Sequence, residues 1–227
     1  MATWQSTTWQ ANGGVVPGDL GRGVVFLAIA EDKGALNLED ALLLRVAPDS
    51  ASVPVGAMLF SVAADGQTTY RVAAADSLRP NLVEHGYEES GVPFDSTDDS
   101  GRWVRAILGY RADGSPLTGW IDIEVPGTGT THWAAGFIDR PIFFRPPALA
   151  AFYSAPDSAT PVAPPPADVE YAMYPEQARG PWLRVRVVQP SDVCIPPDSV
   201  RRETRTLWIR FLDDHGRPNV WYYTRGC

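Results

Sequence analysis

The sequence predicts an all-β protein built from two related units, and three observations carry that prediction. Turn formers and aromatic residues abound: 20 Gly and 21 Pro stand beside eight each of Trp, Tyr and Phe in 227 residues, a composition of short strands joined by tight turns. The stretch Ala47-Pro48-Asp49-Ser50-Ala51, closely followed by Pro54-Val55, returns as Ala155-Pro156-Asp157-Ser158-Ala159, closely followed by Pro161-Val162. Each copy then leads to two tryptophan-bearing, strand-like segments: GRWVRAIL (101–108) and GWIDIEV (119–125) after the first, GPWLRVRVV (180–188) and LWIRFLD (207–213) after the second. Three matches in one order define a repeat, and a repeat fixes the size of the folding unit before any single element is assigned.

Residues 1–23 are expected to be an irregular lead-in, because Gly13-Gly14, Pro17-Gly18, Gly21 and Gly23 interrupt any regular element. Val24 to Ala30 reads as a buried strand closed by the polar turn Glu31-Asp32-Lys33-Gly34. Leu36 to Val46 fits helix or strand by period alone; it runs into Pro48 and its counterpart, Leu149 to Ser154, is short, which favours strand. Pro48 and Trp103 are 55 positions apart, whereas Pro156 and Trp182 are 26 apart. Unit one therefore carries 29 extra positions, placed near 58–97, with a hairpin turning at Asp65-Gly66. An acidic loop, Asp95 to Gly101, leads into the Trp103 strand, and 110–116 turns the chain back toward Trp120.

Arg145-Pro146-Pro147 and Pro164-Pro165-Pro166 bracket the second copy. Each proline removes a backbone donor, so 140–167 reads as connector or edge structure, and the units are placed at 24–140 and 141–227. Trp182 and Trp208 are 26 positions apart against 17 for Trp103 and Trp120, which puts a second insertion at 189–205. Asp213 to Pro218 forms a hairpin turn into a last aromatic strand, Val220 to Thr224.

A formal charge of −8 argues against nucleic acid and against anionic lipid, which both demand a basic face. No apolar run approaches the length of a membrane-spanning helix, so membrane insertion is not expected. Eighteen of the 19 basic residues are Arg, a coding bias rather than an anion site. The N-terminus is polar and lacks the charged, then apolar, then small-residue order of a signal peptide. Cys194 and Cys227 are the only cysteines. A bridge between them would pin the end of the chain, a closure worth on the order of 3–4 kcal/mol by loop entropy; two free thiols and an intermolecular bridge are the alternatives. With a bridge, the protein works outside the cytosol, periplasmic or secreted.

The order of motifs resembles the bacterial Src-homology-3-like (SH3-like) domain. Unit one supplies Leu44-Arg45-Val46-Ala47-Pro48-Asp49-Ser50 with Pro54-Val55-Gly56, then Gly101-Arg102-Trp103-Val104-Arg105, then Gly119-Trp120-Ile121. Unit two supplies Tyr153-Ser154-Ala155-Pro156-Asp157-Ser158 with Pro161-Val162, then Gly180-Pro181-Trp182-Leu183-Arg184-Val185, then Trp208-Ile209; it departs with Leu207 for the glycine and Ser154 for the arginine. The resemblance covers roughly 38–126 and 148–224. It implies two small five- or six-stranded barrels in tandem, the first with an inserted hairpin, and a role in binding peptides or cell-wall peptidoglycan.

Little supports catalysis. His85, His132 and His215 are scattered; His85 lies beside Glu84, Glu88 and Glu89, but no two histidines have ligand spacing. Cys194 as a nucleophile would need a histidine partner. Asp95, Asp98 and Asp99 with Ser96 or Ser100 fail the EF-hand spacing, and Gly127 to His132 lacks the lysine of a phosphate loop and reads as a flexible turn. No metal or cofactor is expected. The aromatic residues offer more. Trp103 and Trp182 precede Arg105 and Arg184 by two positions, which sets Trp and Arg on one strand face. Trp120 and Trp208 begin the neighbouring strands, and Trp221 lies in the run Trp221-Tyr222-Tyr223, whose rings must point to both faces, the other barrel being the expected cover. These seven residues, Trp103, Arg105, Trp120, Trp182, Arg184, Trp208 and Trp221, either pack or line a groove for a ligand.

The leading expectation is a non-catalytic exported bacterial protein whose aromatic groove binds a peptide, a protein or peptidoglycan. The alternative is an inhibitor or immunity-type partner whose acidic surface docks a secreted basic enzyme. A hydrolase using Cys194 or a His-carboxylate site is the third reading.

Overall fold

The computed structural model describes residues 5–9, 20–27, 41–62, 68–86, 89–146, 148, 150–166, 168–193 and 201–222. Its described residues are all-β apart from one four-residue helix. The chain divides into two compact units, Met1–Thr131 and His132–Cys227.

Unit one holds β1 (Gln5–Trp9), β2 (Gly23–Leu27), β3 (Leu42–Arg45), β4 (Pro54–Val62), β5 (Thr68–Ala74), β6 (Arg79–Pro80), β7 (Val83–Gly86), β8 (Glu89–Thr97), β9 (Trp103–Tyr110), β10 (Pro116–Asp122) and β11 (Thr128–His132). They form one sheet in the order β1-β5-β4-β3-β10-β9-β8-β2-β11, with β6 on β9 and β7 on β8. Strand alternation selects the core. On β9, Val104, Ala106 and Leu108 are buried against Leu44, Met58, Val72 and Phe94, while Arg105 between them is exposed.

Unit two holds helix α1 (Trp133–Gly136), then β12 (Ile142–Phe144), β13 (Ala172–Arg179), β14 (Trp182–Gln189), β15 (Glu203–Arg210) and β16 (Val220–Tyr222), in the sheet order β15-β14-β13-β12-β16. Leu183, Val185 and Val187 of β14 and Leu207 and Ile209 of β15 face its core. Phe152 and Tyr153 pair outside the named strands, with Val162 and Trp208 respectively.

The two sheets repeat one connectivity. The order β10-β9-β8-β2-β11 in unit one is matched by β15-β14-β13-β12-β16 in unit two, and the chain visits the strands in the same sequence. Neither sheet closes into a barrel among the described residues.

Several expectations need correction. The lead-in contains β1, which pairs with β5 from Gln5↔Ala74 to Trp9↔Tyr70; the breaking glycines all lie beyond it, and Thr7-Thr8-Trp9 suits a strand. Residues 127–132 are not a flexible turn, because 128–132 form β11 beside β2. Its glycine answers a packing demand: a Cβ on Gly129 would stand 2.5 Å from the Phe26 ring. Asp95 to Thr97 belong to β8 rather than to an acidic loop. The inserted segment does contain a hairpin, β4 with β5, although its tip at 63–67, with Asp65-Gly66, lies outside the described residues. The contact division at 131/132 falls ahead of the proline seam, because Trp133 and Phe137 pack with Trp221 and Tyr222 of β16. Those rings cover Trp221 and Tyr222 from within unit two, where the sequence alone points to the other unit. Cys194, Cys227, Tyr223 and Glu88 lie outside the described residues.

Candidate binding face

Register brings the repeated residues together. In unit one, Trp120 of β10 pairs with Arg105 of β9 on one side and with Arg45 of β3 on the other. In unit two, Trp208 pairs with Arg184 and with Tyr153. The sequence Arg45-Val46-Ala47-Pro48 thus corresponds to Tyr153-Ser154-Ala155-Pro156, so Tyr153, and not Ser154, stands where unit one has arginine. The other departure also has a cause. A Cβ on Gly119 would lie 2.6 Å from the Arg45 carbonyl oxygen, so β3 crosses β10 too closely for a side chain, whereas Leu207 is buried in the core of unit two.

A β-bulge extends the row in both units. The β8–β9 register shifts between Phe94 and Ser96, leaving Asp95 as the extra residue; the β13–β14 register shifts between Pro175 and Gln177, leaving Glu176. Each extra residue is a carboxylate facing the repeated arginine. Asp95 lies 4.0 Å from Arg105, and Glu176 accepts hydrogen bonds of 3.1 and 3.3 Å from Arg184. Each unit therefore presents carboxylate, arginine and tryptophan across three adjacent strands, ending on Arg45 or Tyr153.

Unit two carries more on this face. The Arg186 guanidinium sits 4.6 Å from the Tyr174 ring centroid and 3.7 Å from Glu176. Tyr174 donates a 2.7 Å hydrogen bond to Asp192. Burial, and then that bond to a carboxylate, push the Tyr174 phenol up to about 12.

The predicted site residues separate by exposure. Trp103, Trp182 and Trp221 are 5%, 7% and 3% exposed, so little of their rings is open to a ligand. Trp182 is held by an edge-on contact with Tyr153 at 5.0 Å and by a 3.0 Å bond from its Nε1 to Asp157. Trp221 stacks on Tyr222 and meets Trp133 edge-on. Trp120, Trp208 and Arg184 are half-buried and Arg105 is exposed. The result is a row on an open sheet face rather than a groove. Asp95 and Glu176 escape sequence reading because a bulge leaves no periodic mark; the available signals were the two-residue step from Arg184 for Arg186, and the residue two places before each Ala-Pro-Asp-Ser-Ala copy for Arg45 and Tyr153.

The other candidates hold structure. The Asp98 carboxylate accepts bonds from the Trp103 backbone N–H and the Ser100 hydroxyl, and the Ser100 bond is the main cause holding it below the usual carboxylate range. Among the described residues no three His, Cys, Asp or Glu side chains gather as a metal site. His85 stacks at 4.1 Å on Phe26. A pocket of about 370 Å³ opens in unit two where β12 and β13 pair only at Ile142↔Met173; Phe143, Phe144, Tyr171 and Met173 line it, and burial raises the Tyr171 phenol.

No family model, curated protein or solved structure matches this chain.

Proposed function

We propose that the protein is a non-catalytic, exported binding protein of two SH3-like units whose Trp120 and Trp208 rows take a peptide, a protein or peptidoglycan. The observation that carries this reading is the recurrence of carboxylate, arginine and half-buried tryptophan in the same register on the outer face of both units. Folding requires the alternate, apolar face of these strands. It does not require a partly open indole beside a guanidinium, an arrangement suited to stacking on a sugar ring or a flat side chain while the arginine meets a carboxylate. The repeated five-strand order supports the SH3-like assignment.

Sedimentation with purified peptidoglycan and pull-down from a periplasmic extract test the reading. Retention should fall at least tenfold in the Trp120→Ala/Trp208→Ala double variant, with the far-UV circular dichroism unchanged. A folded wild-type protein retained in neither assay would overturn it.

Charge distribution favours a second reading. Residues 1–131 hold 17 Asp and Glu against 8 Lys and Arg, a net −9, whereas 132–227 hold 10 against 11, a net +1. Unit one would then be the acidic surface that docks a basic secreted enzyme. Lysozyme serves as a basic cell-wall hydrolase probe: binding confined to a fragment of residues 1–131 and lost with added salt supports inhibition, and no binding at low salt dismisses it.

A further inference from the structure

We infer that the open edge of β15 is a second binding surface, one that takes an acidic peptide segment of a partner as an added strand. β15 ends its sheet, and among the described residues only Tyr153 pairs on its far side, at Trp208. The Trp208 N–H and C=O both turn outward, each in a 2.8 Å bond with Tyr153. The two-residue period of a strand turns those of Thr204 and Thr206 the same way. Ala155 begins a turn, closed by the Ser158 N–H to the Ala155 oxygen, and no described backbone bond joins 154–159 to 203–206. Glu203 to Thr206 are all exposed. The edge therefore offers two residues of unpaired ladder, a template for strand addition.

Charge selects the occupant. Residues 201–210, RRETRTLWIR, hold four Arg and one Glu, a net +3 in a chain of net −8. Arg210 is paired with Asp214, whereas among the described residues no carboxylate stands within ion-pair distance of Arg201 or Arg205. An incoming strand hydrogen-bonded to Thr204 and Thr206 sets a side chain directly opposite Arg205, where a carboxylate is favoured. This is a backbone surface, separate from the side-chain face of the preceding section.

The probe is a fluorescein-labelled octapeptide of alternating Glu and Val, followed by fluorescence anisotropy with the full chain. Saturable binding that weakens as salt rises is expected, with at least tenfold weaker binding of the alternating Gln and Val peptide. Arg205→Glu should weaken the acidic peptide at least tenfold. Thr206→Pro, which removes an outward N–H, should abolish binding; should that variant fail to fold, an octapeptide N-methylated at every residue removes the ladder from the peptide side and should not bind. The inference is overturned if the acidic peptide does not bind, if the N-methylated peptide binds equally, or if Arg205→Glu changes nothing. It is also overturned if sedimentation velocity shows a dimer that Arg205→Glu dissociates, since the edge would then belong to a second copy of this chain.

Discussion

One phenol, Tyr174, and one carboxylate, Asp122, are held with opposite sign, and both effects are measurable. Tyr174 is pushed up to about 12, so its neutral form is favoured in the folded protein. That contribution is whole below the ordinary phenol range and is lost as pH rises through the folded value. Absorbance titration at 295 nm should show one phenol ionising after the rest, and Tyr174→Phe should remove that last step at a stability cost of about 1 kcal/mol. Asp122 shows the opposite sign. Arg102 donates to both of its oxygens, at 3.0 and 2.5 Å, and that bond is the chief cause holding the carboxyl below its usual range. Its contribution is present above the ordinary carboxylate value and is lost as pH falls through the lowered one. Asp122→Asn should therefore flatten the acid limb of a urea-midpoint-against-pH profile by lowering the neutral-pH midpoint toward the acid value, and only by a small amount, since Arg102 is exposed.

At the scale of elements, the short helix α1 matters beyond its length. Trp133 is 1% and Phe137 0% exposed, and their rings meet Trp221, Tyr222 and Phe211 at 5.0–6.1 Å. Trp133→Ala should cost about 3–5 kcal/mol, read as a lower urea midpoint for unit two. Legibility varies at this scale for physical reasons. The Trp103, Trp120, Trp182 and Trp208 strands stand out because alternation and turn residues mark them. β1 and β11 are hidden because edge strands rich in Thr and Gly carry no apolar stripe. The binding row is half legible: Trp and Arg two apart share a face, but the partners at Asp95, Glu176, Arg45 and Tyr153 depend on register and bulges, which are properties of paired strands and not of any one of them.

For the whole molecule, the contact boundary makes a sharp prediction. A fragment of residues 132–227 should unfold cooperatively and show near-UV signals from its packed indoles. A fragment of 141–227, cut at the proline seam, loses Trp133 and Phe137 and should give a lower midpoint by several kcal/mol or fail to fold. Calorimetry of the two fragments decides between the boundaries. The Ala-Pro-Asp-Ser-Ala copies mark the repeat, and the shared strand order gives it structural content; what no motif reveals is that the net negative charge is confined to 1–131.

That matching register carries a hazard during folding. A tryptophan strand from one unit can dock beside the wrong neighbour, since β9 and β14 offer the same ladder to β10 and β15. Unequal hairpins guard against it. Trp182 and Trp208 are 26 positions apart where Trp103 and Trp120 are 17 apart, which gives each hairpin its own closure length, so that deleting 194–200 to bring the two lengths closer together should produce tangled, exchange-prone chains on refolding.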